Sequence, residues 1–135
     1  LLFRQGELYE QMPPLERELV EHHLEEIKVV LIKRMISDQL PYIGVAKKRF
    51  NISDLRRIYR RRIGAGKIGG KSAGLLLAWK ILRMADSSAE GNSSATVEIP
   101  DSYFVGTEVI YEFRLKNGMD HVMNQKYRPL QEIRE

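Results

Sequence analysis

Residues 64–74 read GAGKIGGKSAG, and this glycine-rich stretch decides how the chain is organised. Glycine permits positive φ angles and close backbone approach. The stretch leads into a predicted helix at residues 72–85, whose free N–H groups and dipole favour an anion, and Lys67 and Lys71 add positive charge. The residues alone leave two interpretations open. The loop contacts the phosphates of a polyphosphate, or it only joins two helices, with Ser72 as an N-cap.

The ending Gly70-Lys71-Ser72 is also that of a Walker A loop. That motif requires a glycine five residues before Gly70, and this position is Ala65. A Walker A loop also follows a buried strand, whereas the preceding residues 56–63, RRIYRRRI, are charged and have a helical pattern. Both the spacing and the context therefore argue against a Walker A loop.

Length and composition predict one soluble globular domain. The chain has 135 residues, of which 43% are hydrophobic and 30% charged, and its net charge is +4. It contains no cysteine, which excludes disulfides, thiolate metal sites and thiol nucleophiles. The apolar runs are too short to span a bilayer. No signal peptide is visible, because Arg4 and Glu7 interrupt the opening apolar residues 1–3 and no small-residue cleavage site follows. We therefore expect a cytoplasmic protein without a membrane partner.

Three helices are predicted before the glycine-rich stretch at residues 64–74, called the glycine loop below. The first begins at residues 13–14 and continues to about Gln39, with an apolar stripe formed by Val20, Leu24, Ile27, Leu31 and Met35. A short helix is predicted over residues 42–50. The third is capped by Asn51 or Ser53, and on a helical wheel its two faces differ in charge. Leu55, Ile58, Tyr59 and Ile63 share the apolar face, Arg56, Arg57, Arg60 and Arg61 share the opposite face, and Arg62 falls in the apolar sector, where it needs a carboxylate or an anion.

After the loop, the chain is predicted to contain a central helix over 72–85 with Trp79 in the core, and then a polar connection over 86–96. A strand is expected at 103–106, followed by a helix capped by Thr107 that ends at Asn117-Gly118. A last helical segment is expected at 129–134. The predicted fold class is thus α+β and helix-rich, with a small sheet.

The order and spacing of three blocks resemble a known family. KIGGKSAGLLLAWKIL at 67–82 is followed by IPDSYFVGTEVIYEF at 99–113 and NQKY at 124–127. Together they are similar to the beginning of the nucleotide-binding domain of the PEP/pyruvate-binding dikinases, the family of pyruvate, phosphate dikinase and phosphoenolpyruvate synthase. The resemblance covers residues 66–128. It implies a partial ATP-grasp domain that starts at residue 64 and is incomplete at its C-terminus, preceded by a helical lead-in region over 1–63.

The resemblance also implies ligands and site residues. Lys71 corresponds to the nucleotide-binding lysine of the family's GGK sequence, and Gly69 and Gly70 correspond to the adjoining backbone positions. Lys67, in the same loop, is a further candidate for phosphate contact because of its charge. The implied substrate is ATP with Mg²⁺, with pyruvate or phosphoenolpyruvate bound by domains that this chain lacks. No catalytic residue and no metal ligand can be assigned, so whether the chain is itself an enzyme stays open.

Two other function classes compete with this interpretation. The four arginines of the third helix would suit a nucleic-acid backbone, although no recognised nucleic-acid fold accompanies them and nucleic acid is the less favoured partner. Alternatively, the chain is a helical interaction module that associates with itself through open strand edges or apolar helix faces.

The remaining polar candidates have simpler explanations. His22 and His23 lack the spacing of a metal motif and are predicted to lie on a helix surface. His121 is only a weak acid or base candidate. Glu112 is expected to pair with Lys116 one helical turn later.

Overall fold

The computed structural model of the protein describes residues 1–86 and 98–119. Within these ranges the chain is helix-rich α+β, which confirms the predicted class. The elements are α1 (Leu2–Glu10), α2 (Pro14–Met35), α3 (Leu40–Arg49), α4 (Ile52–Arg60), β1 (Arg62–Ile63), α5 (Gly70–Asp86), β2 (Phe104–Val105) and α6 (Thr107–Lys116). Most of the predicted polar connection and the predicted segment at 129–134 lie outside the described residues.

The N-terminal half is a helical cluster organised around α2. The apolar stripe of α2 packs inward as predicted, except that Val20 is only half-buried. The helix ends at Met35 rather than near Gln39. A new helix starts at Leu40, and Pro41 lies in its first turn, a position that proline tolerates. Helix α1, which the sequence analysis did not assign, packs against α2 and α4. One hydrophobic core extends from this cluster to Ile68, Ala73, Leu76 and Phe104 and so crosses the predicted boundary at residue 64.

Helix α4 begins with a complete capping box. The Asn51 side chain accepts a hydrogen bond from the Asp54 N–H at 2.8 Å, and the Asp54 carboxylate accepts from the Asn51 N–H at 3.0 Å. The cap is therefore Asn51 and not Ser53. The buried face of α4 consists of Ile52, Leu55 and Ile58, whereas the Tyr59 side chain is half-exposed.

The chain leaves α4 after Arg60, which corrects the predicted helix. Arg62 and Ile63 form β1, and β2 pairs with it in parallel, with Arg62 opposite Phe104 and Ile63 opposite Val105. Parallel strands need a crossover, and here the glycine loop and α5 lie between the two strands. The glycine loop therefore follows a strand after all, although Ile63 is exposed and the strand is not a buried one.

Helix α5 is less central than predicted. It extends from Gly70 to Asp86, but among its large apolar residues with a described side chain only Leu76 is buried, and Trp79 is half-buried. The surface of α5 exposes Leu75, Ile81, Leu82 and Met84. The helix therefore covers one side of the helical cluster instead of lying inside it.

Helix α6 has the predicted bounds but a different cap. Gly106 occupies the N-cap position and no side chain caps the helix, so the prediction that Thr107 caps it was wrong. Its C-terminal end follows the prediction, because Gly118 adopts a φ of +63° just after the last turn. In the described ranges no helix is long and apolar enough to cross a membrane.

Candidate functional site

The first half of the glycine loop packs against the start of α6. Gly64 and Gly66 have φ angles of +73° and +87°, which disfavour any residue with a Cβ atom. A Cβ atom on Gly64 would collide with Val109, and one on Gly66 would lie 3.0 Å from the Glu108 nitrogen. These two glycines are therefore explained by the fold itself.

Main-chain hydrogen bonds fix the next two residues, Lys67 to the start of α6 and Ile68 to the end of α2. The Lys67 N–H donates to Thr107 Oγ1 at 3.1 Å, and the Thr107 N–H donates back to the Lys67 carbonyl at 3.0 Å. The Ile68 N–H donates to the Met35 carbonyl at the end of α2 at 2.8 Å, and the Ile68 side chain is buried in the core. Residues 64–68 are therefore a fixed connection that contacts α2, the sheet and α6.

The second half of the loop is open. A Cβ atom added to Gly69 or Gly70 would meet nothing within 4 Å, and neither residue has a positive φ angle. Gly70 begins α5, so the free N–H groups of that helix lie at this end. The next residue, Lys71, is exposed and forms no ion pair with a described residue. Packing and backbone geometry therefore do not explain the glycines at 69 and 70.

The two lysines of the loop differ in their surroundings. Lys67 Nζ lies 2.9 Å from the carboxylate of Asp38, in the connection between α2 and α3. The hydrogen bond from Lys67 lowers the pKa of Asp38 below its ordinary value. Both side chains remain partly exposed, at 38% for Lys67 and 64% for Asp38. Of the two lysines predicted to contact phosphate, Lys71 is therefore available and Lys67 is already paired.

The first turn of α5 is held in place by a tyrosine from α3. The Tyr42 hydroxyl donates to the Ala73 carbonyl at 3.0 Å. Burial raises the pKa of Tyr42 to about 12, because the phenolate would lose its hydration. This contact fixes the open half of the loop relative to the helical cluster.

The arginine-rich segment is divided among different partners. Arg56 donates to the Glu7 carboxylate at 2.7 Å, and Arg61 pairs with Asp101, which raises the pKa of Arg61 and lowers that of Asp101. Arg62 was predicted to need a carboxylate or an anion. Instead it donates to the Gly66 carbonyl at 2.7 Å and lies over the Tyr59 ring. Only Arg57 and Arg60 of the predicted basic face are exposed without an ion pair to a described residue.

The other polar candidates behave as surface residues. The rings of His22 and His23 lie 3.8 Å apart on the exposed side of α2. In the part of the chain that the structure describes, no group of three histidine, aspartate or glutamate side chains could hold a metal ion. The predicted pair of Glu112 and Lys116 forms at 3.7 Å. His121 lies outside the described residues.

Sequence reasoning missed Asp38 and Tyr42. Asp38 fell near the end of the first predicted helix and Tyr42 at the start of the short helix predicted over 42–50, and neither was a site candidate. Asp38 contacts the loop and Tyr42 contacts α5, each across about 30 residues of sequence. A pattern of neighbouring residues cannot predict a contact at that separation.

Comparison of the chain with protein-family models, with curated proteins and with solved structures gave no match.

Proposed function

We propose that residues 69–72 bind the phosphates of ATP, and that the chain is the N-terminal portion of an ATP-grasp domain in a dikinase-like phosphotransferase. The observation that carries this proposal is the contrast within one loop. Packing accounts for the glycines at 64 and 66, whereas Gly69 and Gly70 face open space beside the exposed ammonium group of Lys71. A backbone without side chains at a helix N-terminus allows phosphate oxygens to approach the N–H groups closely.

The placement of the loop supports the same proposal. It leaves β1 at its carboxyl end, and because β2 is parallel to β1, the turn into α6 starts at the same edge. In open parallel sheets, ligands bind outside the carboxyl ends of the strands. Lys71 supplies a point charge for phosphate oxygens, and Tyr42 and Ile68 hold the loop so that binding requires little ordering.

Magnesium would arrive with the nucleotide. We assign no ligand of the ion among the residues that the structure describes, and the proposal concerns the phosphate contacts alone. The resemblance to dikinases suggests that pyruvate or phosphoenolpyruvate is the partner substrate of the whole enzyme.

A second candidate function is binding of a nucleic-acid backbone by the exposed side of α4. Arg57 and Arg60 favour it, because both are exposed and neither is paired with a described residue. Two of the four arginines that the sequence placed on this face are neutralised by Glu7 and Asp101. This leaves little charge for a phosphate backbone.

The test is a titration of the protein with Mg²⁺-ATP followed by amide NMR. We expect shifts concentrated at residues 69–73, and their loss in Lys71→Ala. The matched control is the double variant Arg57→Gln/Arg60→Gln, which removes more charge but should keep the response. Shifts confined to α4 that disappear in raised salt would support the second candidate, and the absence of any shift would overturn nucleotide binding.

A further inference from the structure

Of the two lysines in the loop, Lys67 is not available to a ligand in this structure, because it forms an ion pair with Asp38. The Asp38 carboxylate lies 2.9 Å from Lys67 Nζ. Lys67 is two residues before Gly69 in the chain, and its long, flexible side chain can take more than one direction from the fixed loop. An anion at Gly69 and Gly70 would therefore meet a second lysine of the same loop, whose ammonium group a carboxylate holds in this structure.

The main chain and the side chain of Lys67 have different freedom. Its main chain is fixed by the paired hydrogen bonds to Thr107 and by the neighbouring bond from Ile68 to Met35. Its side chain is 38% exposed and carries a four-carbon stem, so the ammonium group can change partner without movement of the loop. Asp38 is also exposed and would be hydrated after the exchange.

The competition favours a ligand with several charges. An exposed lysine–carboxylate pair contributes little net stability, because water screens it and both side chains lose rotamer freedom. A polyphosphate presents more negative charge to the same ammonium group than one carboxylate does. Displacement of Asp38 by a polyphosphate is therefore accessible at a small free-energy cost.

We propose that Asp38 is an autoinhibitory competitor that holds Lys67 away from the phosphate site and releases it when a polyphosphate binds. This inference rests on the proposed nucleotide function and adds a regulatory contact to that site. It assigns Lys67 and Lys71 different roles: Lys71 receives the phosphates, and Lys67 joins them after exchange.

The test is a double-mutant cycle with ATP as the probe. Dissociation constants are measured by calorimetry for the unchanged protein, Asp38→Asn, Lys67→Met and the double variant. We expect Asp38→Asn to tighten binding about two- to fivefold, the range of an exposed ion pair. In the Lys67→Met background the same change should have no effect, because there is no ammonium group to release.

The outcomes separate the two proposals. Binding that Lys71→Ala abolishes but Asp38→Asn leaves unchanged would overturn the role of Asp38 and keep the nucleotide site. A gain of equal size with and without Lys67 would also overturn it, since Asp38 would then act by general repulsion. No binding by any variant would overturn the nucleotide site itself. Circular dichroism of each variant verifies that the fold is retained.

Discussion

Lys80 Nζ in α5 lies 2.7 Å from Asp54 Oδ2, the same oxygen atom that accepts the Asn51 N–H in the capping box of α4. One carboxylate oxygen therefore serves the start of one helix and the docking of another. Both side chains are largely buried, at 20% and 23% exposure. The cap of α4 and the packing of α5 are consequently linked through a single group.

Replacement of Asp54 should cost more than loss of the ion pair. We expect Asp54→Ala to lower the free energy of unfolding by about 1–2 kcal/mol, because the bond from the Asn51 N–H to the carboxylate disappears together with the contact to α5. Lys80→Met, which keeps the aliphatic stem, should cost less than about 1 kcal/mol. Urea unfolding at neutral pH measures both values. Equal losses in the two variants would show that the bond from the Asn51 N–H to the Asp54 carboxylate contributes nothing.

The two halves of the glycine loop should respond in opposite ways to alanine. Gly66→Ala forces a Cβ atom onto a residue with a φ of +87° and should destabilise the protein by at least about 1 kcal/mol. Gly69→Ala should leave stability within about 0.5 kcal/mol of the unchanged protein but weaken ATP binding several-fold. Thermal unfolding and ATP titration distinguish the two effects. Tight ATP binding by Gly69→Ala would contradict close phosphate approach at this residue.

Two helical glycines form a second matched pair. Gly44 in α3 has no atom within 4 Å of an added Cβ, so Gly44→Ala should stabilise the protein by about 0.5–1 kcal/mol. Gly6 in α1 is buried, and a Cβ there would lie 2.6 Å from Cδ1 of Ile52, a fully buried side chain. Gly6→Ala should therefore destabilise by about 1–3 kcal/mol. Denaturant unfolding of both variants provides the comparison, and a stable Gly6→Ala protein would argue against the close contact of α1 with α4.

Tyr42 predicts a specific response to alkaline pH. Its pKa is about 12 in the folded protein and 10.0 ordinarily, so between these values the folded state keeps a proton that the unfolded state loses. Its contribution to stability is complete below pH 10.0 and decreases as the pH rises towards 12. Tyr42→Phe should cost about 0.5–1.5 kcal/mol at pH 7, through loss of the bond to Ala73, and should reduce the alkaline slope.

The control for this measurement is Tyr111→Phe, because the Tyr111 side chain is exposed on α6. Urea unfolding at several pH values between 7 and 12 gives both the loss and the slope. An unchanged slope in Tyr42→Phe would mean that the buried hydroxyl does not control the alkaline response.

The sequence predicted those parts of the fold whose signals are local. The stripe of α2 and the cap of α4, predicted at Asn51 or Ser53, each depend on residues within a few turns of one another. The stripe packs inward except at Val20, and the cap is Asn51. Wheel analysis failed at Arg62, because a helical pattern continues through RRIYRRRI although the helix ends at Arg60. Parallel pairing with Phe104 decides that end, and a distant strand leaves no trace in local periodicity.

The sequence could locate the candidate loop, but it could not show that the two halves of the loop have different surroundings. Glycine content marked 64–72 as unusual, yet it could not distinguish Gly66, which the fold requires, from Gly69, which it does not. The difference depends on Thr107 and Glu108, about 40 residues later in the chain. The central position predicted for α5 failed for a similar reason, since apolar composition does not tell which faces a neighbour covers.

The parallel register of β1 and β2 has a consequence for the order of folding. Pairing of Arg62 with Phe104 brings together two residues about 40 positions apart in the chain. Closing a loop of this length costs about 3 kcal/mol of conformational entropy, and two residue pairs form in return. Helix α2 packs against its chain neighbours α1 and α3, which needs no closure of that length, so these contacts should form first. The amides of Phe104 and Gly106, which donate to Arg61 and Ile63, should therefore exchange with solvent sooner than those in the middle of α2. The proposed phosphate loop connects to this sheet and should therefore form later, and open sooner, than the middle of α2.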